Sequence, residues 1–506
     1  MNRLIQSFSL RTITLIVGAS VLTSCMTVGP NYQRPDSPLP STWGESHGGD
    51  DSLVNTQHRA STRQVSMQEG FALFADETLL ALQERALANS PDLQSALLRF
   101  AQSRVQLEGV RRQNQPLLRT SAGAARIAQS ETGSATRLIS AISSPAQSDD
   151  LIEFIAQPFA IFEAGFDASW ELDFWGAIDR RVEAAQADVD IANANNRQMQ
   201  LALLSEVARH YFSLRGTQQQ LRLLRNDIER AQSLLALLQV RAQAGLNNDM
   251  DAVQQEARVA QAQSQMPALL AQEAQSINAL SLLLGEAPGS LQLEESQWRL
   301  HAVPDLALGL PSDLVDARPD IQAAEAQLRA ANAQIGAAQA KLYPNIMLGA
   351  GLGLESLNSD DLVDWGSRQW SIGPQIDLAL FDQGQRKTVV RLRELQAQEA
   401  AINYQQIVLK AWHEVDTALS RYSAAQQTQQ QLQALLASQQ QAYEFALTQF
   451  NNGVINYLQV LILEQARADA SKALSANEAE MAIGLVGLFK ALGRSDGLAD
   501  AAVAAR

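Results

Sequence analysis

The chain has one cysteine in 506 residues, Cys25, so no disulfide can form within it. After its first 25 residues it has no run of 18 apolar residues, which excludes a helical membrane span from the rest of the chain. Positive charge is in deficit: 39 Lys and Arg stand against 54 Asp and Glu, a formal net charge of −15. That balance argues against a nucleic-acid partner and gives no support for binding anionic lipid. Histidine is sparse, and His47, His58, His210, His301 and His413 show no metal-ligand spacing. No Gly-rich loop ending in Lys-Ser/Thr is present to hold a nucleotide phosphate, and nothing points to a Ser-His-Asp triad. The chain therefore reads as a non-enzyme with no metal.

What is present is a sequence written twice. Pro91-Asp92-Leu93-Gln94, with Pro116 further on, returns as Pro319-Asp320-Ile321-Gln322 and Pro344, both at an offset of 228 residues. Gly176, Glu206-Val207, Gly245, Glu256 and Leu284-Gly285 return as Gly384, Glu414-Val415, Gly453, Glu464 and Leu492-Gly493, each 208 residues later. A repeat of this length is one structural unit used twice. The offset changes only between Pro116 and Gly176, so an insertion there is expected in a surface loop.

The start of the chain is an export signal over 1–24. Arg3 and Arg11 precede an apolar run from Ile13 to Leu22 that is too short to span a bilayer. Leu22-Thr23-Ser24-Cys25 resembles a bacterial lipobox. The resemblance implies that Cys25 becomes the mature N-terminus and carries a covalent diacylglycerol and a palmitoyl chain, which anchor a protein without a transmembrane helix. Met26, where Asp favours inner-membrane retention, implies outer-membrane sorting. Residues 25–75, rich in Pro, Gly, Ser and Asp, read as an extended arm.

The pattern then becomes helical from about Asp76 to Gln115, with a break at Ser90-Pro91, where Ser90 suits an N-cap and Pro91 the first helical position. A change of period follows. Ile346, Leu348, Ala350, Leu352 and Leu354 alternate with polar residues or glycine, as do Trp370, Ile372, Ile376, Leu378 and Leu380. The first copy does the same around Leu118 to Ala124 and at Phe166, Ala168, Trp170 and Leu172. Such dyad segments of about ten residues suit membrane-spanning strands; half-buried strands of a soluble sheet share the pattern. The expected hairpins cover about 117–173 and 344–381. Long helices are expected over 177–244 and 385–450, each ~100 Å at 1.5 Å per residue. Leu221, Leu224, Ile228, Ala231, Leu235, Leu238 and Ala242 form a coiled-coil seam, echoed by Leu432, Leu436, Tyr443, Ala446 and Phe450. Tight turns at Gly245 and Gly453 lead to return helices over 249–285 and 455–492, the first expected to kink near its middle at Pro267. The repeats thus span 76–285 and 312–493, joined by a linker over 286–311 and followed by a tail over 494–506.

Four strands cannot close a barrel, and an open edge cannot face lipid, so the chain must oligomerise. Two protomers supply 8 strands, a core filled by side chains, whereas three supply 12, wide enough for a pore. The chain resembles outer-membrane efflux factors of the TolC superfamily, in the lipoprotein branch named after NodT and OprM. Val28-Gly29-Pro30-Asn31-Tyr32 carries that resemblance, with Trp170-Glu171-Leu172-Asp173-Phe174-Trp175-Gly176 and Gly309-Leu310-Pro311-Ser312-Asp313-Leu314. So do Arg318-Pro319-Asp320-Ile321, Ile335-Gly336-Ala337-Ala338, Tyr343-Pro344, Phe381-Asp382-Gln383-Gly384 and Glu414-Val415. The resemblance implies a mixed α/β membrane protein, a homotrimer with a 12-stranded transmembrane β-barrel continued by a 12-helix periplasmic α-barrel. It implies as partners a periplasmic membrane-fusion adaptor protein and an inner-membrane pump of the resistance–nodulation–division (RND) type, with passive conduction of small toxic compounds. A duct for type I protein secretion driven by an ABC transporter, and a non-channel coiled-coil lipoprotein, are the alternatives.

Related channels place aspartates just after the tip turn, so Asp251, with Asp249 nearby, is the gate candidate; the second-copy equivalents are Gln459 and Ile462. Asp249 and Asp251 could equally cap the return helix. The acid pairs Asp149-Asp150 and Asp360-Asp361 are expected in loops between strands.

Overall fold

The computed structural model describes residues 27–36, 67–133, 145–245, 248–295, 298 and 314–493. Two compact units interleave along the chain. One takes residues 1–33, 104–187 and 329–399, the other 34–103, 188–328 and 400–506.

The first unit is built on a four-stranded antiparallel sheet with order β1-β2-β3-β4: Leu117–Ile127, Phe159–Glu171, Asn345–Ser356 and Arg368–Asp377. The two expected strand pairs are thus joined through β2 and β3 into one sheet, in register from Phe162 opposite Ser356 to Glu171 opposite Met347. Between β1 and β2 lies a feature absent from the expectation, a helix over Pro145–Ala156. Asp149 and Asp150 belong to this helix rather than to a loop. At Asp360 and Asp361 the expected turn is found, with Asn358 Nδ2 donating to Asp361 Oδ2 at 3.0 Å.

The same unit contains a short arm over 27–33. Val28 N–H donates to Trp175 O at 3.1 Å. The guanidinium of Arg180, only 4% exposed, donates to Val28 O and Gly29 O, both at 3.2 Å, and to Asn31 Oδ1 at 2.9 Å. Asn332 Nδ2 reaches Pro30 O at 2.9 Å. The arm lies so close that a Cβ on Gly29 would collide with Gly336, and one on Gly336 would sit 2.8 Å from Val28 O. Two glycine-bearing motifs some 300 residues apart are therefore the two sides of one backbone contact.

The second unit is helical. Its core gathers Phe71, Phe74, Leu79, Tyr211, Phe212, Ile321, Tyr404, Tyr422 and Leu485. Helices over Glu77–Asn89 and Pro91–Arg111 meet at Ser90, whose backbone carbonyl accepts from Gln94 N–H at 3.1 Å. Asp76 caps the first of them by accepting from Leu79 N–H, and also accepts the Tyr211 hydroxyl at 2.6 Å. Further on, Leu314–Ala317 and Pro319–Ala340 repeat the break-and-proline pattern. Arg318, between them, is buried and makes four hydrogen bonds: Asp320 accepts two of them, Glu414 Oε2 one at 2.7 Å and Ala491 O one at 2.6 Å. The Arg-Pro-Asp and Glu-Val motifs thus meet in one ion-pair cluster.

Two helices of 67 residues, α1 (Ala177–Gln243) and α3 (Gln385–Asn451), contribute to both units. Their return partners are α2 (Asp249–Leu283), continuous through Pro267, and α4 (Tyr457–Leu492). Along α1 the seam residues Leu221, Leu224, Ile228, Ala231 and Leu238 are buried, with Leu235 and Ala242 half-buried. On α3 Ala446 and Phe450 are buried, and Leu432, Leu436 and Tyr443 half-buried.

Candidate channel wall and helix tips

Residues paired across neighbouring strands point to the same face of a sheet. The register puts Leu118, Phe166, Leu352 and Trp370 on one face, with Ile372 and Ile376. These side chains are exposed, Trp370 to 72% and Ile372 to 68%. The opposite face carries Ser121, Glu163, Asp167, Glu355, Gln369 and Ser371, interspersed with Gly165, Gly349, Gly351, Gly353 and Gly373. An apolar face left in the open, backed by a polar and glycine-rich one, inverts the order of a soluble half-buried sheet. On β2 the apolar run from Phe162 to Trp170 spans ~26 Å at 3.3 Å per residue, the height of the apolar band on a transmembrane barrel. Aromatic rings stand near its Trp170 end. Trp170 Nε1 donates to Asn114 O at 3.0 Å, and Trp175 stacks on Tyr343 with ring centroids 4.8 Å apart. Among the described residues β1 and β4 are each paired on one side only. Among the described residues, no helix is long and apolar enough to cross a membrane.

At the far ends of the long helices, Gly245 and Gly453 take φ of 70° and 75°, a left-handed conformation that closes each turn at little cost. Asn248 caps α2 by accepting from Met250 N–H, and Asn456 caps α4 by accepting from Gln459 N–H. The capping role weighed for Asp249 and Asp251 thus belongs to Asn248. Both aspartates lie in the first turn of α2, Asp249 exposed and Asp251 half-buried. Gln459 and Ile462 come together in a groove with Phe445, Gln449 and Ile455; Asp251 is not part of it. Cys25 lies outside the described residues.

Behind the turns sits a buried polar network that sequence reasoning missed. The Tyr457 hydroxyl donates to Gln255, whose Nε2 donates to Ala231 O at 2.8 Å. Asp227 accepts from Arg467 at 3.2 Å and from Arg230 at 2.5 Å, and Arg467 also lies over the Tyr443 ring. Glu464 is 3% exposed, and among the described residues its Oε2 has no hydrogen bond. Burial pushes its carboxyl above the usual range, against the pull of Arg258 and Arg467. Tyr457, Val460, Glu464 and Arg467 follow 3-4-3 spacing, so polar groups occupy seam positions, where they specify register. Glu256, the first-copy counterpart of Glu464, is exposed. Among the described residues no three His, Cys, Asp or Glu side chains are grouped to hold a metal ion.

The family model for outer membrane efflux proteins matches residues 82–286 and 310–494. The chain belongs to this family. It is 30% identical over 482 residues to the outer membrane protein OprJ of Pseudomonas aeruginosa, covering 94% of this chain and 95% of OprJ. To SilC of Salmonella typhimurium, a probable outer membrane lipoprotein, it is 27% identical over 474 residues, 94% of this chain and 96% of SilC. The solved outer-membrane channel OprN superposes with a TM-score of 0.80 at 27% identity, over 92% of this chain and 98% of OprN. This efflux protein is therefore an outer-membrane channel component with a mixed α/β fold.

Proposed function

We propose that three copies of this chain share one 12-stranded transmembrane β-barrel, each giving one four-stranded sheet. The observation that carries this reading is the exposed apolar face on a sheet with two half-paired edges. An edge is intolerable in lipid, so β1 of one protomer must pair with β4 of the next. The glycine-rich polar face then lines a water-filled lumen. The doubled order of strand pair, long helix and return helix supports a twice-used unit whose helices, two pairs per chain, continue the conduit as a 12-helix barrel.

In this reading Cys25 carries the diacylglycerol and palmitoyl groups. The arm clamped by Arg180 starts two residues beyond it. The channel opens passively to an RND-type pump through a periplasmic adaptor. It catalyses nothing, and the pump in the inner membrane supplies both the energy and the choice of small toxic compounds. The turns at Gly245 and Gly453 form the narrow end. In this reading Asp251 is the pore-side acid of the tip, with Asp249 in the same first turn of α2 and Gln459 and Ile462 on α4. Single-channel recording in planar bilayers tests this. Asp251→Ala should change conductance or cation selectivity, and an unchanged channel would remove Asp251 from the gate.

A further inference from the structure

The apolar face of the sheet carries two ionised side chains, and both are arginines. Arg126 is the penultimate residue of β1 and Arg368 the first of β4. Apart from Thr120 and Ser356, every other position on that face is apolar. The carboxylates Glu163, Asp167, Glu171, Glu355 and Asp377 are all on the opposite face. Both arginines lie at the same end of the sheet, the end away from α1 and α3, and on its two edge strands.

Among the described residues neither arginine forms an ion pair, and both are exposed. Arg368 is nevertheless held in place. It donates to Trp365 O at 2.8 Å, and its guanidinium carbon lies 3.9 Å over the Trp365 ring. Trp365 is 80% exposed, and Trp370 is the next residue on the same face. A fixed guanidinium fork with spare donors, flanked by two open indoles, suits a ligand with an anion at one end and apolar chains at the other. In a chain of net charge −15 this is a local exception, placed where an apolar band meets water.

We propose that Arg368 and Arg126 form a site for the phosphate groups of lipid headgroups in the outer leaflet, with Trp365 and Trp370 against the upper part of the acyl chains. The site rests on the reading that this face lies in lipid. Closure of the barrel brings β4 of one protomer beside β1 of the next, so each junction would combine Arg368 of one chain with Arg126 of its neighbour. A lipid is favoured over free phosphate because the indoles would have no partner on an inorganic anion.

The test is native mass spectrometry of the full-length, detergent-purified protein titrated with bisphosphorylated lipid A. Wild type should bind it, and Arg126→Gln with Arg368→Gln should weaken binding about tenfold or more. Dephosphorylated lipid A should bind both proteins equally weakly. Arg119→Gln, on the opposite face, should change nothing. Millimolar inorganic phosphate should fail to displace the lipid. Equal binding of lipid A by wild type and the double variant overturns the site, as does an equal loss with Arg119→Gln. Displacement by inorganic phosphate overturns the lipid assignment. Planar-bilayer recording of the same preparations separates the two readings. If wild type conducts and the double variant still binds, only this site falls; if wild type does not conduct, the spanning reading falls and takes the site with it.

Discussion

Ile372→Arg separates a sheet in lipid from a sheet in water. Ile372 is opposite Ala350, the midpoint of the apolar run on β3 from Ile346 to Leu354, and its side chain is exposed. On a soluble sheet an exposed isoleucine replaced by arginine changes stability by about 0.5 kcal/mol or less. On the lipid face of a barrel, arginine near the midplane costs about 2–4 kcal/mol. The difference, about 1.5–4 kcal/mol, is a factor of roughly 10 to 1,000 in the folding equilibrium. Ser371→Arg, one residue away on the opposite face, is the internal control and should cost little. Equilibrium unfolding of the protein refolded into phospholipid vesicles, followed by denaturant titration, measures both. A large loss for Ile372→Arg with a small one for Ser371→Arg is expected. Two equal, small effects would show that the apolar face does not meet hydrocarbon.

Three further outcomes follow from the geometry. Arg180→Ala removes the donor shared by Val28, Gly29 and Asn31. At about 1–3 kcal/mol for the lost charge-assisted bonds, hydrogen exchange of the Val28 amide should speed up by about tenfold to a hundredfold; unchanged protection would mean the arm is held by other contacts. Gly336→Ala places a Cβ 2.8 Å from Val28 O and from Arg180 Nε, so it should loosen the same arm and speed exchange of the Val28 amide; exchange as slow as in wild type would contradict it. Glu464 has a folded-state pKa raised by burial, so the native state holds its proton more tightly than the unfolded chain does. Its contribution is therefore complete at pH below the ordinary carboxylate range and is lost as pH rises through the raised value. Glu464→Gln should melt higher than wild type at pH 8 and lose this part of the pH dependence; a lower melting temperature at pH 8 would contradict it.

Much of the fold was legible because the hydrophobic period changes abruptly. Alternation from Ile346 to Leu354 and the 3-4 seam from Leu221 to Leu238 each have one reading in their own segment. The helix over Pro145–Ala156 was not legible. It lies in the stretch where the repeat offset changes, so no second copy marks it, and its 12 residues are near the shortest length that periodicity resolves. The turn glycines are plain in the sequence, while the cap on Asn248 depends on backbone geometry. The network around Glu464 was missed for another reason. Glu464 stood out only as the partner of Glu256 in the repeat, and repetition hides the fact that one copy buries what the other exposes. The signal was there in Tyr457, Glu464 and Arg467, polar residues placed on an apolar seam. The Gly29–Gly336 contact is a tertiary fact that no local pattern encodes.

The central claim is a count of strands: each chain supplies four, and the wall needs twelve. Native mass spectrometry of the complex extracted intact from the outer membrane measures that count directly. The account predicts a detergent-dependent assembly of three chains. A single chain stable without detergent, or a complex of two, would contradict it.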